Sequence, residues 1–300
     1  MKKKKKISLI VITILVLVFL FPIQQHNFTN SLNSSTLFPT QNADPIIIID
    51  EDSDFIGYPG YGNESHPYII QSKDIEVGTD EFGITVANTT KYFEIRNNQI
   101  SKLGASSDTY GILIQNVGNN TAKIVNNLFD RISYGLYAED SQGIVIEGNT
   151  LLYVTGIILF NCPNSRIKNN EIKKLTIQIP TTKNRIDTRL HSYPEETGNY
   201  LQNFDDGSYY ATIRVYGCSD TNITENYIKP DGDDVHGIYV KNSDRMLIRD
   251  NIVKEINLNH IPDYEHFEVA GIALYSVSYA DIINNTLENN DKSNIKISNK

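Results

Sequence analysis

The stretch TGIILFNCPNSRIKNNEI, residues 155–172, decides the fold of this 300-residue chain because its pattern recurs along the sequence. An opening glycine is followed by apolar residues one and three places on, by Ile eleven places on and by Asn fourteen places on. The copies open at Gly83, Gly111, Gly135, Gly156, Thr212, Gly237 and Gly271, and the first two need one and two extra residues to align. Self-similarity at a period of roughly 21 to 25 residues is typical of a solenoid.

The apolar positions favour strands over helices. Ile157 and Leu159 illustrate the period-two alternation of β-branched and other apolar residues that follows each opening position. A second apolar pair, such as Ile167 and Ile172, stands five residues apart around the Asn, and no copy contains an apolar run long enough for an amphipathic helix. Three short strands per repeat, joined by bends and coiled so that like residues stack, satisfy both patterns.

The Asn column has a local structural explanation. Asn tolerates the left-handed backbone of a sharp bend, and its amide can hydrogen-bond to the same residue one coil away. A leucine-rich repeat has an overlapping period and also uses an Asn. That alternative is disfavoured because Ile rather than Leu dominates and because doubled Asn-Asn pairs are followed by Ile or Leu. The column comprises Asn98, Asn127, Asn149, Asn170, Asn226, Asn251 and Asn285.

The repeats resemble the right-handed parallel β-helix repeats of the pectate-lyase-like superfamily, and most closely the NosD-like group, as in Gly237-Ile-Tyr-Val-Lys-Asn-Ser243. The resemblance covers residues 82–290 and implies an all-β, three-sheet parallel β-helix. It also implies export and carbohydrate binding or cleavage, while the NosD-like group implies copper-site maturation. Fold alone does not fix function, and two Met and six His are few ligands for a copper carrier.

The N-terminal segment is predicted to be a targeting signal. Lys2 to Lys6 precede an apolar run from Ile7 to Phe21, which predicts that residues 1–23 are a cleaved signal peptide or a membrane-anchoring helix. Residues 24–45 are predicted to be a flexible linker and residues 46–300 the β-helix domain. Without those five lysines, 22 basic residues face 36 acidic ones. This acidity argues against a nucleic-acid partner.

One outer face of the predicted solenoid carries aromatic residues. Counting two and four places from each opening position predicts a solvent-facing surface for binding a polysaccharide or glycan, formed by Tyr137, Phe160, Arg214, Tyr216, Tyr239 and Tyr275. The alternative is that aromatic residues simply favour strand surfaces. Glu139, Ile158, Lys241 and Ala273 belong to the same positions. Insertions at 176–208 and 257–269, and the polar bend at 230–236, lead into these strands and are expected to lie side by side.

The bend before Gly237 is the candidate catalytic segment. Asp231, Asp233, Asp234 and His236 are grouped there, and paired carboxylates can act as acid and base or hold a calcium ion. Asp233-Asp234 and His236-Gly237 resemble the Asp-Asp and Gly-His-Gly elements of polygalacturonases, although no Asn-Thr-Asp element precedes them. The segment therefore predicts catalysis, metal or sugar binding without turnover, or a solvated turn.

Two further features remain open. Cys162 and Cys218 both fall six places after their opening residues, so stacking would bring them within disulfide range, or leave them as two inward thiols. Residues 294–297 predict another strand with no cap beyond it, which suggests an oligomer or partner at the C-terminal coil. The leading function is an exported glycan-binding or glycan-cleaving protein; the alternatives are a surface scaffold or adhesion module and a copper-site maturation factor.

Overall fold

Each repeat of the sequence folds into one coil of three short strands. The computed structural model describes residues 43–104, 109–174, 211–230, 236–256, 270–290 and 293–298. In chain order its strands are β1 (Ile47–Ile49), β2 (Tyr68–Gln71), β3 (Asp74–Val77), β4 (Phe82–Ala87), β5 (Phe93–Arg96), β6 (Gln99–Lys102), β7 (Tyr110–Gln115), β8 (Ala122–Val125), β9 (Leu128–Asp130), β10 (Tyr134–Glu139), β11 (Val145–Glu147), β12 (Thr150–Leu152), β13 (Ile157–Phe160), β14 (Arg166–Lys168), β15 (Glu171–Lys174), β16 (Ala211–Tyr216), β17 (Asn222–Thr224), β18 (Tyr227–Pro230), β19 (His236–Lys241), β20 (Met246–Arg249), β21 (Ile252–Lys254), β22 (Ala270–Tyr275), β23 (Ala280–Ile283), β24 (Thr286–Glu288) and β25 (Ser293–Ser298).

Three parallel sheets run along the coils. Sheet I orders its strands β1-β4-β7-β10-β13-β16-β19-β22-β25, sheet II runs from β2 to β23, and sheet III runs from β3 to β24. Every third strand pairs with its equivalent in the next coil, so Ile157 lies between Leu136 and Ile213 in register. This arrangement confirms the predicted three-sheet parallel β-helix. The predicted N-terminal helix lies outside the described residues.

The core is a column of apolar side chains inside the coils. Ile157, Ile167 and Ile172 point inward from the three strands of one coil, and all three are fully buried. Their equivalents in neighbouring coils stack on them, which explains why the repeat keeps Ile at these places. At the first coil, Phe55 on the 3-10 helix Asp52–Phe55 is fully buried and stacks on Tyr68 with ring centroids 4.7 Å apart.

The opening glycines are required by close packing where sheet III leads into sheet I. A Cβ at Gly111 would lie 2.2 Å from the carbonyl oxygen of Gly135 and 2.6 Å from Cδ1 of Phe129. A Cβ at Gly237 would lie 2.3 Å from Cγ1 of Val253. These distances leave no room for a methyl group, so Gly111 and Gly237 are glycine for steric reasons, whereas one coil accommodates Thr212 at the equivalent place.

The Asn column forms the predicted ladder of amides between coils. Asn170 Nδ2 donates to Asn226 Oδ1 at 3.0 Å, and Asn149 Nδ2 donates to Asn170 Oδ1 at 3.0 Å. The prediction that these same residues adopt the left-handed bend is wrong. The residue before each of them has the positive φ, as at Asn169 (φ 53°), because the bend must turn the following amide inward to join the ladder.

The last described strand continues the inward column without a further coil beside it. Ile295 and Ile297 pair in register with Ile272 and Leu274, yet they are 44% and 61% exposed. The oligomer or partner suggested for this end stays a prediction. Among the described residues, no helix has the length and apolar character needed to cross a membrane.

Candidate functional site

The outer face of sheet I carries the residues that the sequence predicted to bind a ligand. Side chains alternate along each strand, so the positions between the inward Ile and Leu residues point away from the core. Residues four places after the opening position stack in one column, as the pairings Phe160–Tyr216, Tyr216–Lys241 and Lys241–Tyr275 show. We call Phe160, Tyr216, Lys241 and Tyr275 the outer stripe.

Much of this face is not solvent-exposed, so the predicted exposure is wrong for several of its residues. Tyr137 is 9% exposed, Arg214 2% and Tyr239 1%. Glu139, Ile158 and Ala273 are buried as well. The physical reason is that outward side chains of neighbouring coils pack against one another. They form two apolar clusters separate from the core, the first containing Phe82, Tyr110, Leu113, Tyr137 and Ile158, and the second Ala211, Tyr239, Ala270 and Ala273.

The outer stripe is the part of the predicted surface that remains partly exposed. All four of its side chains have intermediate exposure. The rings of Phe160 and Tyr216 are stacked, with centroids 5.8 Å apart and an interplanar angle of 21°. Lys241 Nζ lies 5.2 Å from the centroid of the Tyr216 ring. The stripe therefore presents partly exposed aromatic side chains and an ammonium group along the solenoid axis.

Two buried residues of β19, Tyr239 and His236, lie close to the Tyr275 ring of the stripe. Tyr239 lies with its ring centroid 5.2 Å from that of Tyr275 and 5.5 Å from that of His236. Arg214 donates from Nε to the carbonyl oxygen of Ala211 at 3.0 Å. His236 is 3% exposed, and its ring centroid is 6.4 Å from that of Tyr275. Predicted catalytic and predicted binding residues are thus neighbours on sheet I.

Glu139 is a buried acid on this face, which the sequence placed among the outward positions but not among the predicted binding residues. Tyr137 donates its hydroxyl to Glu139 Oε2 at 2.7 Å, and Gln115 Nε2 donates to Oε1 at 2.6 Å. Burial raises the pKa of Glu139, and it raises the pKa of Tyr137 well above the ordinary value. In the sequence, the signal was an acid at an outward position, two residues after Tyr137. Its contact with Gln115 in the adjacent coil required the register.

The carboxylates predicted to act in catalysis, Asp231, Asp233 and Asp234, lie outside the described residues, as do the insertions 176–208 and 257–269. Their points of attachment are described. The insertion 176–208 follows β15, the bend 230–236 follows β18 and the insertion 257–269 follows β21, and these three strands are neighbours on sheet III. After them the chain re-enters sheet I at β16, β19 and β22, which are neighbours too. Within the described residues, no group of three or more His, Cys, Asp or Glu could hold a metal ion.

Cys162 and Cys218 stack in adjacent coils, but both are free and buried, so the predicted disulfide is not formed. Cys218 Sγ accepts a hydrogen bond from the backbone N–H of Cys162 at 3.0 Å and donates to the carbonyl oxygen of Tyr216 at 3.1 Å. Ser243 makes the equivalent contacts one coil on, to the N–H of Cys218 and the oxygen of Lys241. The thiols take the places of hydroxyls in a ladder. Burial raises the pKa of Cys162.

Comparison with known proteins gives matches over most of the chain. The family described as "Right handed beta helix region" matches residues 134–300, and the family described as "Periplasmic copper-binding protein (NosD)" matches residues 30–191. The chain is also similar to the inulin fructotransferase [DFA-I-forming] of Arthrobacter globiformis. The two are 23% identical over 220 residues, which cover 63% of this chain. The chain spans 56% of the length of that protein.

Proposed function

Since the chain belongs to the right-handed β-helix family and to the NosD family, we propose that it is an exported protein that binds a polysaccharide or glycan along the outer stripe. The observation that carries the proposal is the row of partly exposed rings on sheet I, with Phe160 stacked on Tyr216. The C–H face of a sugar ring packs on an aromatic ring and removes apolar area from water. Rings held in register by successive coils suit a linear polymer.

The similarity to an inulin fructotransferase supports a carbohydrate as ligand, because that protein is named for a reaction of a polysaccharide. Export is supported by the lysine-rich start and apolar run of residues 2–21, together with the periplasmic description of the NosD family. Residues 1–23 would then act as a signal peptide or as a membrane anchor, leaving the β-helix in the periplasm or at the cell surface.

Cleavage of the bound polymer is the enzymatic extension of this proposal. Asp231, Asp233 and Asp234 would supply a general acid and base, with His236 beside Tyr239 and Tyr275 at the entrance to β19. The test is release of new reducing ends from a bound polysaccharide by the wild type and by Asp233→Asn. Binding without release assigns the protein to binding alone; release that is abolished by Asp233→Asn supports catalysis.

Binding itself is tested on a glycan array with the wild type, Tyr216→Ala and a matched control, Tyr227→Ala. Tyr227 is also a partly exposed strand tyrosine next to a lysine, but it lies on sheet III. Loss of one stacking ring is expected to weaken binding about tenfold, from about 1.4 kcal/mol of lost packing. Tyr227→Ala is expected to bind as the wild type does. Equal losses in both variants would contradict the location, and no glycan bound by the wild type would favour a surface scaffold or adhesion module.

Copper-site maturation is the second candidate, and the NosD match favours it. Its test is calorimetric titration of the metal-free protein with Cu(I) and Cu(II). Saturable binding at one stoichiometry, lost in His236→Ala, would support a copper role at the entrance to β19. Copper binding that is unchanged by the variant would place the ligands elsewhere.

A further inference from the structure

Several sequences of the acceptor type for N-linked glycosylation lie in the part of the chain that the structure describes. Each has Asn, then any residue but Pro, and then Ser or Thr, which is the sequence that glycan transfer to an exported chain requires. These sequons begin at Asn63, Asn88, Asn119, Asn222 and Asn284. In an Asn-rich chain such matches also arise without a glycan, so their structural surroundings have to separate them.

The described sequons lie on one side of the solenoid. Asn63, Asn88 and Asn119 lie between a strand of sheet I and the next strand of sheet II. Asn222 is the first residue of β17 on sheet II, and Asn284 lies in the bend between β23 and β24. Within the described residues, none of the sequons lies on sheet I. A glycan on this side therefore leaves the outer stripe uncovered.

Two of the sequons have a buried hydroxyl residue. Thr121 is 5% exposed and donates its hydroxyl to the carbonyl oxygen of Gly118 at 2.7 Å. Thr224, on β17, is 6% exposed. Transfer requires the hydroxyl residue as well as the Asn. The folded protein therefore does not present the complete sequon at Asn119 or at Asn222.

Two others place their Asn where the backbone already explains it. Asn88 has φ 51° and Asn284 has φ 53°, in the left-handed region that Asn tolerates better than most residues do. Asn88 Nδ2 also donates to Asp50 Oδ1 at 2.7 Å. Asn at these two places therefore has a structural role that needs no glycan.

At Asn63 the acceptor and the hydroxyl residue are both exposed and lie in contact. Ser65 Oγ donates to Asn63 Oδ1 at 2.9 Å, in an exposed turn that precedes β2. The backbone N–H of His66 donates to the same oxygen at 2.9 Å. An Asp would accept both bonds and shape the same turn, whereas Asn brings a nitrogen as well. That nitrogen is the atom to which an N-linked glycan attaches.

We propose that Asn63 is an attachment site for an N-linked oligosaccharide. This inference rests on the proposed function for one element alone, the export of the chain. In the reaction, Asn63 Nδ2 forms a bond to C1 of the first sugar of a lipid-linked oligosaccharide, and the bond from C1 to the oxygen of the lipid phosphate breaks. Nδ2 loses one proton, and the lipid phosphate leaves with the electron pair of the broken bond. A membrane-bound oligosaccharyltransferase is the partner that this chemistry needs.

The experiment is glycopeptide mass spectrometry of the full-length protein, isolated from the cells that produce it after the cytoplasmic and exported fractions have been separated. We expect the Asn63 peptide of the exported protein to carry the added mass of one or more sugars. We expect the Asn222 peptide of the same molecules to be unmodified, because its hydroxyl residue is buried.

The variants, produced in the same cells, are Ser65→Ala, Ser65→Thr and the matched control Glu64→Gln. All three changes are at exposed positions of the turn. Ser65→Ala should lose the sugar mass at Asn63, whereas Ser65→Thr and Glu64→Gln should keep it because both preserve the sequon. An exported protein with unmodified Asn63, or modification that persists in Ser65→Ala, would overturn this inference and leave the proposed function standing. Recovery of the protein in the cytoplasmic fraction alone would overturn export and both proposals with it.

Discussion

Removing one amide from the Asn ladder should test the physical basis of the coil stack. Asn170 is 1% exposed. Its Nδ2 donates to the carbonyl oxygens of Ile146 and Lys168 and to Asn226 Oδ1 at 3.0–3.1 Å. Its Oδ1 accepts the backbone N–H and the Nδ2 of Asn149, both at 3.0 Å. Asn170→Ala therefore deletes five hydrogen bonds between and within coils, four of them buried.

The magnitude follows from these partners. A buried hydrogen bond contributes about 1 kcal/mol net, and a buried group left without a partner costs about 1–3 kcal/mol. The Lys168 carbonyl still accepts from the N–H of Gly148, and Asn149 Nδ2 still donates to the carbonyls of Ile124 and Glu147. The backbone N–H of Asn149 loses the acceptor described above. We expect the free energy of unfolding to fall by about 4 kcal/mol.

The assay is equilibrium unfolding in urea, followed by far-UV circular dichroism and by tyrosine fluorescence because the chain has no Trp. Asn169→Gly is the matched control: Asn169 is the exposed neighbour, it has φ 53°, and glycine adopts that backbone without strain. We expect a change below about 1 kcal/mol for the control. A loss in Asn170→Ala no larger than that of the control would refute the ladder as a source of stability.

Three other predictions concern the cysteine ladder, the opening glycines and the buried acid Glu139. Cys218→Ser should change the unfolding free energy by less than about 1 kcal/mol, because Ser243 makes the same two contacts one coil on; a large loss in urea unfolding would contradict the hydroxyl-like role. Gly111→Ala should cost about 3 kcal/mol or more, since its Cβ would lie 2.2 Å from the oxygen of Gly135, whereas Gly104→Asn, in open space at φ 55°, should be tolerated. Burial raises the pKa of Glu139, so the folded state binds the proton more tightly than the unfolded state does, and the stabilisation present below the unfolded pKa of about 4.3 is lost as pH rises through the folded value. Glu139→Gln should flatten the stability profile from about pH 4.3 upward; an unchanged profile in thermal unfolding across pH would show that this acid does not titrate as described.

The columns that face the core could be predicted from the sequence because one physical requirement fixes each of them. Ile at the inward places, Gly at the crowded entry to sheet I and Asn in the amide ladder recur with the coil. The assignment of the left-handed residue failed by one position. The sequence shows doubled asparagines, as at 169–170, but does not reveal which member bends the chain and which donates inward.

The candidate face was harder to predict because alternation gives the direction of a side chain but not what packs against it. Tyr239 and Phe160 are both outward by count, yet Tyr239 is 1% exposed and Phe160 is partly exposed. The acid Glu139 depended on contacts with Gln115 from the adjacent coil, which needed the register. Whether Cys162 and Cys218 bond to each other depended on where each sulfur lies in the hydrogen-bonded ladder, which spacing alone does not supply.

Protection of individual tyrosines by a bound polysaccharide tests most directly whether the ligand lies along the outer stripe. The protein is treated with tetranitromethane with and without the polymer that binds it, and nitration at each tyrosine is measured by mass spectrometry. Tyr216 and Tyr275 are partly exposed on the outer stripe, whereas Tyr61 and Tyr279 are 76% and 71% exposed off the stripe. We predict that the polymer slows nitration of Tyr216 and Tyr275 and leaves Tyr61 and Tyr279 unchanged. Unchanged nitration of Tyr216 and Tyr275 in the saturated complex would contradict binding along the outer stripe.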